Sequence, residues 1–121
     1  MAARLNHQGF EHARSLVELG HVERDVNADW SSHRPSEMDE AALILHHGID
    51  EYGKWHLGVE PGDAEDDKSH YKFPYGDFKT VHRCAVQAAQ SLAGECRQKD
   101  IERAAKELLE LIDAGSASVG E

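Results

Sequence analysis

Apolar residues recur at helical spacing in several stretches of this chain. Phe10, Ala13, Leu16, Val17 and Leu19 form one stripe over residues 7–19, with Asn6 placed to cap the helix and Gly20 to stop it. Periodicity then lapses from 21 to 35, where Asn27, Ser31, Ser32 and Pro35 mark a long connection and Trp30 offers an anchor onto the core. Ser36, followed by Glu37, Asp39 and Glu40, has the form of an N-cap with first-turn acids. Ala41 to Leu45 supply apolar bulk, and Ile49, Tyr52 and Trp55 continue the spacing, which predicts a helix from 37 to Leu57, kinked at Gly48 and ended by Gly58.

Val59 to Ser69, with Pro61, Gly62 and five acids, predicts a solvated acidic loop. Tyr71, Phe73 and Tyr75 alternate with Lys72 and Pro74, an extended arm that Pro74 confines to an edge or an unpaired segment. Asp77 is placed to cap a third helix from about Phe78 to Arg97, whose broad face holds Val81, Cys84, Ala85, Ala88, Ala89, Leu92 and Cys96. Asp100 caps a fourth helix through Ile112. The expected fold class is therefore all-α: a compact helical domain of about four helices over residues 1–114, with a short aromatic arm, a long acidic loop and a disordered tail at 115–121.

Composition narrows the function classes. The 121 residues fit one domain, and 40% hydrophobic against 30% charged residues is a globular balance. Thirteen Lys and Arg against 23 Asp and Glu give a net charge of −10, which disfavours nucleic acid and anionic membranes as partners. The longest apolar run, Ala41–Leu45, is far short of the roughly 20 residues of a membrane helix, and the N-terminus leads into no signal-peptide core, so a cytoplasmic protein is expected. Cys84 and Cys96 lack metal-knuckle spacing and are expected to be reduced and packed inside.

Nine histidines are the compositional anomaly. His46 and His47 are adjacent and splay apart on a helix, and no HExxH pattern sets two rings on one face. A zinc, iron or manganese site would need His56, His70 and His82, with Asp77 or Cys84, to converge in three dimensions. The acidic run from Asp63 fails as a calcium loop, because its sixth and twelfth positions are Lys68 and Pro74. Charge changes sign along the chain: residues 50–67 hold seven acids and one base, whereas 68–83 hold Lys68, Lys72, Lys79 and Arg83 against Asp77 alone. That basic segment is a candidate anion, phosphate or nucleic-acid surface, with Lys72 and Arg83 as donors and Tyr71 or Tyr75 as a wall; the bland alternative is that its bases pair with the acidic loop. Asp77 and His82 form a conceivable acid–base pair, but a capping aspartate beside an ordinary histidine accounts for the same residues, and no nucleophile or nucleotide motif occurs.

The blocks Asp29-Trp30, Glu51-Tyr52-Gly53-Lys54-Trp55-His56-Leu57-Gly58, His70-Tyr71-Lys72-Phe73-Pro74-Tyr75-Gly76-Asp77-Phe78 and Val81-His82-Arg83 resemble a family of small uncharacterised bacterial proteins, mainly actinobacterial. The Trp-His-Leu-Gly and Tyr-Lys-Phe-Pro-Tyr-Gly elements are more distantly similar to a segment of proteins encoded near phage head genes. The resemblance implies a cytoplasmic protein of unknown function, centres interest on residues 52–83, and transfers no catalytic residue.

The function expected on these grounds is noncatalytic binding, through a surface of Trp55, His56, Tyr71, Lys72, Tyr75, His82 and Arg83. Its partner would be a protein or a small anionic ligand. No cofactor is expected, and the small-residue faces of the third and fourth helices leave a homodimer open.

Overall fold

A computed structural model describes residues 4–23, 30, 35–60 and 70–119, with side chains described as far as 114. The acidic stretch at 61–69, Lys68 included, and most of the connection at 24–34 lie outside the described residues.

The chain is mixed α/β rather than all-α. Of the described residues 64% are helical and 16% lie in strands, arranged as one sheet of three strands and one of two. In chain order the elements are β1 (Arg4–Leu5), α1 (His7–Glu18), β2 (Val22–Glu23), α2 (Glu37–His47), α3 (Ile49–Gly53), β3 (His56–Val59), β4 (Tyr71–Pro74), β5 (Val81–His82), α4 (Arg83–Glu95) and α5 (Lys99–Val119). The strands escaped the sequence because none exceeds four residues, too few for a period of two to register. β3 also has its first three residues buried, so it shows no apolar–polar alternation and reads as a continuation of the preceding helix.

Helical spacing from 37 to 57 is thus divided three ways. α2 ends at Gly48, whose φ of 90° is the left-handed region a side chain resists; α3 adds little more than one turn; and the chain then straightens into β3. Gly58, expected to stop a helix, sits inside that strand, where an added Cβ would lie 2.7 Å from the Phe73 ring and 3.0 Å from Ile101 Cδ1.

β3 is the middle strand of the larger sheet. It pairs antiparallel with β1, Leu5 opposite Gly58, and antiparallel with β4, His56 opposite Pro74 and Val59 opposite Tyr71. Pro74 therefore ends an edge strand, where its missing N–H is tolerated. The second sheet is the parallel pair β2–β5, with Val22 opposite Val81.

α1 lies against β3 so closely that a Cβ on Gly9 would overlap the His56 carbonyl. Asn6 precedes α1 as expected but does not cap it: its side-chain amide donates to the carbonyls of Gly53 and His56 at 2.9 and 3.0 Å, tying the helix start to the turn before β3. At the other end Gly20, with φ 82°, takes the chain out of the helix.

α4 and α5 pack through small residues. Cys84, Ala85, Ala89 and Ala93 on one helix and Ile101, Ala104, Ala105, Leu108 and Ile112 on the other are all buried, whereas Ala88 and Leu92 of the expected α4 face stay exposed. Cys96, expected inside, is exposed at the end of α4, and no disulfide joins it to the buried Cys84. α5 starts where expected but runs on to Val119, through most of the segment expected as a tail. Asp100 holds both its own helix and the sheet, accepting from Ile101 N at 2.8 Å and from Leu5 N at 2.9 Å.

α2 meets this core through the partly buried Leu43. Ser36 and Asp39 form a reciprocal capping box, each backbone N–H donating to the other's side chain at 3.1 Å, yet none of the helix's residues is buried. Among the described residues no helix is long and apolar enough to cross a membrane.

Candidate binding site

The aromatic residues singled out in the sequence do come together, but inward. Trp55 lies 5.5 Å from Tyr75 and 6.0 Å edge-on from Phe78, while Tyr52 touches His56 at 4.5 Å and Tyr71 at 6.0 Å between ring centroids. Tyr75 is fully buried, and its hydroxyl donates to the Lys54 carbonyl. Burial, reinforced by the Glu51 carboxylate, pushes its phenol well above the ordinary tyrosine value. Trp55 and His56 are likewise buried, and Tyr71 is half-buried.

Each histidine of the supposed metal set has its own nearby acceptor. His56 Nδ1 lies 3.0 Å from the Tyr52 carbonyl, which fixes a proton on that nitrogen, and His70 Nδ1 lies 2.9 Å from the Glu60 carbonyl. His82 Nε2 meets Asp77 Oδ2 at 2.9 Å. Among the described residues no group of three His, Cys, Asp or Glu side chains converges as metal ligands would.

The basic segment is dispersed too. Arg83 reaches across to α5 and grips Asp113 with two parallel bonds, Nε to Oδ1 at 3.0 Å and Nη2 to Oδ2 at 3.2 Å. Lys72 is exposed on the edge strand β4, and Lys79 is exposed in the loop between β4 and β5.

That loop carries the most specific geometry in the molecule. Asp77 was expected to cap a helix starting at Phe78, but α4 begins only at Arg83, because the carboxylate closes the turn ahead of it. Its Oδ1 accepts from Lys79 N at 3.0 Å, Thr80 N at 2.8 Å and Thr80 Oγ1 at 3.2 Å, while Oδ2 faces the buried His82 ring. Burial raises the carboxyl's affinity for a proton, but the His82 ring, the Thr80 and Lys79 amides and the His82 charge together outweigh it and hold Asp77 below the ordinary aspartate value. Gly76 passes so near the Thr80 carbonyl and the Trp55 ring that no side chain fits, and Phe78 adopts φ 70°, a conformation costly for a non-glycine residue.

Between this loop and α2 lies a cleft of about 360 Å³, lined by Asp39, Ala42, Leu43, His46, His47, Asp77, Phe78 and Lys79. Leu43 and Phe78 give it an apolar floor, and its rim carries two carboxylates, two imidazoles and an ammonium group. Asp77 is already engaged by four donors, so it shapes the wall rather than offering a free base. None of the seven expected binding residues lines this cleft. The signal that could have found it was the spacing of Asp39, Ala42, Leu43 and His46, which is one flank of a helix. A smaller apolar cleft of about 180 Å³ runs between Trp30, the end of β4 and the Ala85–Leu92 side of α4.

No protein-family model, curated protein or solved structure matches this chain.

Proposed function

We propose that this protein is a noncatalytic cytoplasmic binding protein whose working face is the outer side of α2 with the adjoining cleft. One observation carries this reading: Met38 and Leu45 are 82% and 80% exposed on the same side of α2, with Ala41 and Ala42 exposed between them. Helices of globular domains turn such a stripe to the core, and an 11-residue helix gains little stability by itself. α2 is held by its capping box and by Leu43, which packs against the core, and it presents the Met38–Leu45 stripe outward, as a docking helix does. A small anionic ligand has less support, since Asp39 and Asp77 share the cleft with Lys79, His46 and His47.

Photo-crosslinking residues placed singly at Met38 and Leu45, with exposed Glu110 as control, test this in living cells of the native source. Discrete adducts at both α2 positions and none at the control are expected. Labelling no greater at Met38 and Leu45 than at Glu110 would remove the proposal.

A further inference from the structure

We propose that the occupant of the α2 face is a second copy of this chain, laid antiparallel across the stripe; this rests on the binding reading above and names its partner. A two-fold interface must be self-complementary, since the same patch faces itself in reverse. The stripe has that symmetry: Met38, Ala41, Ala42 and Leu45 are arranged symmetrically about the midpoint between Ala41 and Ala42. An axis there sets each Met38 against the second copy's Leu45. It also puts four alanines at the crossing, where small side chains let helices approach to the lower end of the usual 8–10 Å separation.

Charge selects the antiparallel direction. The first turn of α2 carries Glu37, Asp39 and Glu40 and its last turn carries His46 and His47, so parallel copies would bring like groups together. Antiparallel copies set acidic first turns beside histidine-bearing last turns and oppose the helix dipoles. Asp39 and His46 share the flank that faces the cleft, and reversal brings the second copy's Asp39 level with Ile44, about 3 Å along the helix axis from His46 at the edge of the cleft. The pair thereby adds a wall to the cleft that one chain lacks.

The size of the contact sets its strength. Three turns of helix span about 16 Å and bury less than the roughly 1,200 Å² of standard interfaces. With a net charge of −10 on each copy opposing association, the dimer should be weak, with a dissociation constant on the order of 10–100 μM.

Sedimentation equilibrium of the purified full chain across the micromolar range is the test. The average mass should rise from the 13.5 kDa of one chain towards twice that value. Leu45→Glu should weaken association at least tenfold without lowering the melting temperature measured at about 1 μM, where the chain is monomeric, because the side chain it replaces is exposed. Register is checked in a Cys96→Ser background by mixing Met38→Cys chains with Leu45→Cys chains. The mixture should form a disulfide-linked pair under mild oxidation, and neither chain alone should. A chain that stays monomeric throughout, a dimer indifferent to Leu45→Glu, or equal self-linking by either cysteine variant would overturn the proposal. Crosslinks from Met38 and Leu45 to a different protein would then uphold the broader binding reading, and their absence would bring down both.

Discussion

Replacing Asp77 by alanine removes the acceptor for four donors at once: the Lys79 and Thr80 amides, the Thr80 hydroxyl and the His82 ring. The bond from Lys79 is exposed and is replaced by water, and that from the Thr80 hydroxyl is long for an O–H donor at 3.2 Å, so their loss costs little. The bond to His82 is different, because the ring is 8% exposed and loses a charge-bearing partner. At about 1.5–2 kcal/mol for that bond and about 1 kcal/mol for the shorter amide bond, the net loss is about 2.5–3 kcal/mol. For a domain of this length that lowers the melting temperature by about 10 °C. Thermal melts monitored by circular dichroism at pH 7 measure it.

The pH dependence is set by the direction of the carboxyl's shift. Folding lowers the Asp77 value, so its contribution is complete above the ordinary aspartate value of 3.8 and is lost as pH falls through the lower folded value. Wild type and Asp77→Ala should differ by a constant amount from pH 7 to about 5 as far as this carboxyl is concerned, and converge only below about 4. A difference under 2 °C at pH 7, or one that persists undiminished once the carboxyl is protonated, would refute the assignment of Asp77 as the clamp of the 76–82 loop.

Gly9→Ala should destabilise the protein by about 1–3 kcal/mol, measured by urea denaturation, although alanine favours a helix interior by about 1 kcal/mol, because the added methyl group forces α1 off the His56 carbonyl. His12 packs edge-on against Trp55 at 5.1 Å, and burial, with help from Lys54 and against Glu51, lowers its pKa. Its contribution is therefore full above the ordinary value of 6.5 and drains as pH falls towards the folded value; His12→Leu should flatten that part of the stability–pH curve in equilibrium denaturation. Tyr75 should stay un-ionised in alkali until the protein unfolds, so tyrosinate absorbance should show its ionisation arriving with the loss of the circular dichroism signal.

Local signals in the sequence locate the starts of α1, α2 and α5, but they miss the start of α4 by five residues and do not foresee the path of the chain beyond α2. Ser36 and Gly20 act as the cap and stop their residue types announce, since both effects lie within a few bonds of the residue concerned. Asn6 and Asp77 were equally plausible caps, and both side chains went elsewhere, one to carbonyls about 50 residues away and the other to a turn and a buried histidine. Whether a capping side chain is used locally depends on which partner arrives from elsewhere in the chain, which no local pattern contains.

The same reasoning separates the two faces of the aromatic block. That Trp55, His56, Tyr71 and Tyr75 would gather was legible from their concentration in sequence, but their side of the surface was not. Rings that bind a partner and rings that fill a core have the same composition, and only the placement of α1 and β3 around them decides which they are. The exposed stripe of α2 is the converse case. Met38, Ala41, Ala42 and Leu45 have the pattern of a buried helix face, and the sequence alone would have turned it inward.

By itself, then, the sequence determined the starts of α1, α2 and α5, the acidic character of the chain and the confinement of the Pro74 segment to an edge or an unpaired stretch, all of them consequences of residue type and short-range geometry. Tertiary structure alone decided that His56–Val59 is a strand, that the expected all-helical core opens into two small sheets, and that Met38 and Leu45 of α2 lie exposed. Those outcomes turn on pairings between segments far apart in the chain, Leu5 with Gly58 and Val22 with Val81 among them, whose energy appears only once the segments meet.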